Sequence, residues 1–442
     1  MKDKLEQLLR SDRSDAVLLR GATGTFLINI VAAVVALALQ IVLARMLGAE
    51  SFGRYVYVMT VFNFLVLFMT LGQESTTLRY LPQYLGQKEW GLLRGFLRRS
   101  EQIVLAATAA VGIVAATGIW IFRDWLGSEL SDTFILMFGF LPILIYPQIQ
   151  SAQLKAMKKP VLAQLQNQVL KPLVLGLTLL VMVVVLHRSP TAPKAMMAHI
   201  VAAVAALVMA AACLAGMKKS FRSADPNYRT KEWIQVGLQI VLIACFNTVL
   251  NYCDTLMIGS IKGTTDAGIY SAAVRAAHLI AFGLAAVNVI LAPMISELYS
   301  LNRMSELQGT AWGALLVSLP ALVVLLVFGH WVLTLFGPEF GKGYSALVWL
   351  SLGQFFNAFC GSVGLLLVMT GKQQYVTVTV GASALLNIVL NAILIPPYGM
   401  VGGAIATSVT MMIWNAILTL TVYRQLGINP TIFARPCRIH NR

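Results

Sequence analysis

The sequence predicts an all-α polytopic membrane protein, with twelve transmembrane helices in two six-helix lobes related by a parallel internal repeat around a central cleft. Composition is the first observation behind this expectation. Of 442 residues, 58% are hydrophobic and 12% charged, with a mean hydropathy of +0.76. That is too apolar for a water-soluble domain, and the apolar residues fall into many separate runs of spanning length. The other two observations are the sidedness of the basic residues and a repeat at constant offset, both set out below.

In chain order, Met1 to Arg20 mixes Leu5, Leu8 and Leu9 with Lys2, Lys4, Arg10 and Arg13, a pattern suited to a helix lying in the membrane interface. The first apolar run, Gly24 to Leu43, is too long for a cleavable signal and lacks a small-residue cleavage site, so it reads as the first span. The next five spans are Tyr55 to Leu78, Ile103 to Phe122, Phe134 to Ala152, Val161 to Leu186 and Met196 to Met217. After the polar segment Lys218 to Glu232 come Ile234 to Gly259, Ala267 to Leu291, Thr310 to Leu335, Tyr344 to Met369, Val376 to Ile395 and Met400 to Tyr423. The expected units are an interfacial helix (1–20), an N-terminal lobe (21–217), a cytoplasmic connector (218–232), a C-terminal lobe (233–426) and a cytoplasmic tail (427–442).

Lys and Arg concentrate in cytoplasmic loops. With the N-terminus placed inside, the 33 basic residues divide as 24 in inner segments, 7 in outer turns and 2, Lys171 and Arg275, within spans. Both termini are therefore expected in the cytoplasm. The net charge of +15 follows from this topology and needs no nucleic-acid partner. The repeat is visible residue by residue: Gly48, Gly53, Tyr55, Tyr84 and Lys88 recur 215 positions on as Gly263, Gly268, Tyr270, Tyr299 and Arg303. An even number of spans separates the equivalents, so the halves keep one orientation and are related about the membrane normal.

Several function classes are excluded. The five cysteines form no CxxC pair, and four lie in apolar runs, which gives neither a disulfide framework nor a metal site. No P-loop, HExxH or dinucleotide fingerprint occurs, and no cofactor is expected.

What remains is polarity inside the spans. Asn247, Asn251 and Asp254 fall on one helix face, within about 60° of arc, and Ser271, Arg275 and His278 do the same on the next helix. Asp254 and Arg275 lie at similar depth below the intervening turn and are placed to pair across the hairpin. Thr25, Asn29 and Gln40 share a face of the first span, Gln164, Gln168 and Lys171 a face of the fifth, and Asn387 and Asn391 stand one turn apart on the eleventh. Charges at such depth usually face a wet cavity or a partner, whereas amides also serve as interhelical glue, and both readings stay open for Asn and Gln. Glu74 and Arg79 lie near the inner end of the second span, where an interfacial anchor is the plainer role. His199 and His278 read as packing residues more than proton carriers.

The stretch Ala44-Arg45-Met46-Leu47-Gly48-Ala49-Glu50-Ser51-Phe52-Gly53-Arg54-Tyr55 resembles the O-antigen type polysaccharide flippases of the multidrug/oligosaccharidyl-lipid/polysaccharide exporter superfamily. Arg79-Tyr80-Leu81-Pro82, Asp254 to Gly259 with Gly268-Ile269-Tyr270, Leu335-Phe336-Gly337 and Pro397 to Ala404 resemble further patterns of that branch, in order along nearly the whole chain. The resemblance implies a flippase, not an enzyme, that moves an undecaprenyl-pyrophosphate-linked glycan by alternating access in the bacterial inner membrane. Other polysaccharide assembly proteins and membrane lipid are its implied partners. On that reading Arg275, Lys171, Arg45 and Arg79 contact the pyrophosphate, and Asn247, Asn251, Asn29 and Gln40 contact sugars. Asp254 and Glu74 are the candidates for ion coupling. Multidrug exporters of the same superfamily usually carry an acid in the first span, and Gly24 to Leu43 has none. The lipid II flippases usually carry two more C-terminal spans, and a membrane glycan polymerase would need a longer outer loop.

Overall fold

A computed structural model of the chain describes residues 14–185, 190–218, 224–301, 303–307 and 311–431. Lipid offers no hydrogen bonds, so an apolar chain of this kind satisfies its backbone internally as helices. In the first half these are α1 (Ser14–Thr70), α2 (Gln73–Gln87), α3 (Trp90–Leu126), α4 (Ser128–Gly139), α5 (Leu141–Ala156), α6 (Pro160–Val185) and α7 (Ala192–Lys218). In the second half they are α8 (Thr230–Ile261), α9 (Thr264–Ala277), α10 (Ala281–Ser300), α11 (Ala311–Thr334), α12 (Tyr344–Cys360), α13 (Val363–Met369) and α14 (Gln373–Leu426). Among the described residues seven helices are long and apolar enough to cross a membrane, or up to ten if each of three bent pairs is one span. Two of the seven, Val34–Thr70 and Gln373–Leu426, contain a non-helical glycine, Gly48 and Gly399, where the sequence expects a turn between two spans. Leu316, Trp331 and Val378 are among many large apolar side chains left exposed, as a lipid-facing surface requires. The first thirteen residues of the expected interfacial helix lie outside the described residues; from Ser14 the backbone is helical into the first span.

The repeat is also a repeat of backbone shape. Gly48 turns at φ 71°, ψ 168° and its equivalent Gly263 at φ 105°, ψ 159°, a region that a Cβ makes costly. Near these turns the lobes meet at the repeat's own equivalents. A Cβ on Gly268 would lie 2.6 Å from the Cα of Gly53, and one on Gly53 would lie 2.2 Å from the carbonyl oxygen of Thr264. Only glycine lets α1 and α9 approach so closely, and Phe52 packs edge-on against Phe340 beside them, with ring centroids 5.6 Å apart.

At the opposite end the connector docks on the N-terminal lobe. The backbone N–H of Asn227 donates to the Gly91 carbonyl at 2.9 Å, and Arg94 donates to the Ala224 carbonyl at 2.6 Å. The Arg99 guanidinium lies 4.9 Å from the Tyr228 ring centre. Trp233, at the start of α8, is buried with Tyr80, Tyr84 and Phe96, and its indole N–H donates to the Tyr84 hydroxyl at 3.0 Å. Farther along, α8 bends by 41° between Leu242 and Ala244.

Candidate functional site: a basic cleft between the lobes

A cavity of about 440 Å³ lies between the halves, lined from both. Its N-terminal wall carries Gln40, Tyr55 and Asn63 from α1, Gln148 from α5, Asn167 and Lys171 from α6, and His199 from α7. Its C-terminal wall carries Asn251, Tyr252 and Thr255 from α8, Ser271 and Arg275 from α9, and His278 in the turn that follows α9. The predicted face is therefore intact across the end of α9: Ser271, Arg275 and His278 all reach the cleft. Arg275 and His278 are exposed, and the surface they expose is the cavity's. Among the described residues no carboxylate lines the cleft, and neither Lys171 nor Arg275 has an ion-pair or hydrogen-bond partner there.

Asp254 is not in the cleft, and the expected pairing with Arg275 does not form. Its Oδ2 accepts from the Tyr270 hydroxyl at 2.6 Å and from Thr407 Oγ1 at 2.7 Å, inside the C-terminal lobe, while its Oδ1 is buried without a partner. The physical reason is helix phase. Tyr270 and Arg275 are five residues apart, roughly 140° around α9, so the face that meets Asp254 turns Arg275 away from it. Asn387 reaches the Thr407 hydroxyl at 3.4 Å and accepts from Asn391 at 2.9 Å, extending the same polar cluster. A smaller cavity of about 70 Å³ touches Asp254, Gln354 and Thr407, and shares Asn251, Val274 and His278 with the cleft. With no shared bond, Asp254→Asn and Arg275→Ala should act independently. We expect the double variant to reach the membrane at the level the two single losses multiply to, measured by quantitative immunoblot. Restored expression in the double variant would return the ion pair.

The remaining expectations divide. Gln40, Asn251, Lys171 and Arg275 are brought together in the cleft. Asn247 is exposed one turn from Asn251, whose Nδ2 donates to the Asn247 carbonyl at 2.7 Å, and it does not line the cleft. The side chain of Asn29 lies outside the described residues. Arg45 is exposed near Gly48 and donates through Nε to the Leu335 carbonyl of the other lobe at 2.6 Å, which makes it a staple between the lobes. Arg79 is exposed and rests on the Tyr80 ring at 5.5 Å. Glu74 is half-buried in the first turn of α2, where its charge suits the helix dipole, and one carboxylate oxygen is unpartnered. None of these three lines the cleft.

Tyr55, Asn63, Gln148, Asn167, Tyr252 and Thr255 line the cleft without a sequence expectation, and His199 and His278, expected as packing residues, reach it too. In α6 a π-helical stretch, Leu165–Leu170, directly before Lys171, breaks the phase that joined Gln164 and Gln168 to Lys171, whereas Asn167, one turn before Lys171, lines the cleft at a spacing the sequence already shows. Tyr55 and Asn63 stand two turns apart on α1, a spacing legible in the sequence once Tyr55 is taken as polar.

Two helical lobes, a repeat that relates them and a polar cleft between them define a multi-pass membrane transporter. The chain belongs to the polysaccharide biosynthesis protein family, whose model matches residues 18–299, and a second family model, MatE, matches residues 240–393. This makes it a member of the multidrug/oligosaccharidyl-lipid/polysaccharide exporter superfamily. Probable flippase AglR of Haloferax volcanii is 27% identical over 192 residues, 42% of this chain and 40% of that protein. The fold matches an inward-facing multidrug resistance MATE family transporter of the MOP superfamily, with a TM-score of 0.75 at 15% identity over 90% of this chain and 94% of that one. It also matches the lipid II flippase MurJ in an inward closed conformation, with a TM-score of 0.70 at 13% identity over 90% of this chain and 86% of that one.

Proposed function

We propose that the protein is a flippase for a polyprenyl-pyrophosphate-linked oligosaccharide, moving it across the bacterial cytoplasmic membrane by alternating access for surface polysaccharide synthesis. One observation carries this reading: Lys171 from one lobe and Arg275 from the other line a single cleft in which, among the described residues, no carboxylate stands. A pyrophosphate cannot cross hydrocarbon bare, and two unpaired cations in a wet cleft are the partners it needs. The amides of Gln40, Asn63, Asn167 and Asn251 offer adaptable hydrogen bonds to sugar hydroxyls, and the prenyl tail stays in lipid between the lobes. Both termini are cytoplasmic, and the Gly48 turn faces outward. Asp254, with an unpartnered oxygen inside the C-terminal lobe, is the group through which a proton or monovalent cation couples to transport.

A second reading, a cation-exporting drug transporter, is supported by the MatE match and by that same buried carboxylate. Transport separates the two. Proteoliposomes holding the purified chain should flip a fluorescent prenyl-pyrophosphate oligosaccharide and bind tetraphenylphosphonium weakly. A deletion strain should accumulate the lipid-linked glycan on the cytoplasmic leaflet, with drug sensitivity unchanged. Sensitisation to cationic drugs with surface polysaccharide intact would replace the flippase by the exporter.

A further inference from the structure

Tyr55 and Tyr270 are repeat equivalents, yet their hydroxyls meet opposite chemistry. Tyr270 donates to the Asp254 carboxylate at 2.6 Å, whereas the Tyr55 hydroxyl meets Nδ1 of His199 at 3.0 Å. Tyr55 is buried, and His199 is the one hydrogen-bond partner its hydroxyl has among the described residues. With the O–H donating, the lone pair of Nδ1 receives the phenol's single proton, and the buried hydroxyl is satisfied by the partner it has. The ring proton of His199 then sits on Nε2, the nitrogen that Tyr55 leaves unused. His199 lines the cleft from α7, and Lys171 lines it from α6, which packs against α7.

We infer that His199 is an anion ligand: its Nε2–H and the Lys171 ammonium form a subsite on the N-terminal wall for one phosphate of a diphosphate, with Tyr55 as the positioning residue that fixes the imidazole tautomer. The inference rests on the flippase reading and assigns one end of its substrate. The two lobes thus use equivalent tyrosines to hold unlike groups, a donor toward the cleft in one and a carboxylate inside the other. Arg275, on the opposite wall, is left to meet the second phosphate. A neutral donor to a phosphate oxygen supplies direction that a flexible ammonium alone does not.

Titration calorimetry of the full chain in detergent, with farnesyl diphosphate and separately with inorganic pyrophosphate, tests this. His199→Leu should weaken both ligands about tenfold, the loss of one hydrogen bond to a charged acceptor. His199→Gln, whose amide nitrogen can take the place of Nε2, should remain within about twofold of the parent chain. Tyr55→Phe should weaken binding severalfold alone and add nothing to His199→Gln, because an amide needs no partner to hold its tautomer. If the Leu and Gln variants fall equally, or neither falls while Arg275→Ala does, the His199 subsite is overturned and the flippase reading stands. Binding of farnesyl diphosphate without pyrophosphate would also overturn it, since the lipid tail would then carry the affinity. If the parent chain binds neither, both readings fail.

Discussion

Replacing Arg275 and Lys171 together by Ala will lower affinity for a prenyl diphosphate on the order of a thousandfold, and either change alone will cost about ten- to a hundredfold. The expectation follows from their setting. Both side chains line one cavity from opposite lobes, and among the described residues no carboxylate lines it to share their charge. In the cleft each meets the anion without first giving up a protein partner, so the interaction free energy appears nearly whole in binding. The losses should fall short of strict additivity, because both cations act on one diphosphate. Arg275→Lys should recover part of the loss but not all of it, since an ammonium cannot grip two phosphate oxygens as a planar guanidinium does. Binding by the double Ala variant at the parent affinity would remove both residues from the substrate site.

Gly53→Leu will hold the two lobes apart at the Gly48 end and abolish transport. A Cβ at this position lies 2.2 Å from a backbone oxygen of Thr264, and the obstacle is main chain, which cannot swing aside as a side chain can. Gly268→Leu meets the backbone of Gly53 in turn, and Gly259, whose Cβ would strike the Tyr57 ring at 2.3 Å, lies on the same seam. With the Gly48 end outward, as proposed, a cysteine at Ser271 in the cleft should then react with a membrane-impermeant maleimide added outside the cell. In the parent background the closed seam should protect it. Gly118→Leu is the control, since a Cβ there meets nothing within 4 Å. Normal transport by Gly53→Leu, with Ser271→Cys still protected, would show that the seam tolerates bulk.

The membrane class, the repeat and much of the cleft were legible in the sequence because each rests on a local rule. Span length follows from bilayer thickness, and the stripe Ser271, Arg275, His278 follows from 100° per residue in a regular helix. The readings that failed depend on which of several neighbours a face meets. Asp254 and Arg275 share a depth, but a one-dimensional pattern does not say that α14 supplies Thr407 to the carboxylate first. Arg45 is expected to contact the pyrophosphate only through the flippase resemblance, and a carbonyl just past the end of α11, that of Leu335, takes its Nε instead. The π-helical stretch in α6 is a departure from the very periodicity used to read the helix, so no pattern built on that periodicity could register it.

The docked connector separates two boundaries that a duplicated chain is usually assumed to share. By sequence, the second repeat begins near residue 230, but Trp233 is buried in an aromatic core of the first lobe, with Val236 packed against it. The opening stretch of α8 thus belongs in space to the half that precedes it, and the chain changes body only beyond, where α8 bends by 41°. Halves alike in sequence pattern are therefore unlike in packing: one carries the opening segment of the other's first helix. Any swing of one half against the other must be taken up as flexure inside a continuous helix, with no slack linker to absorb it.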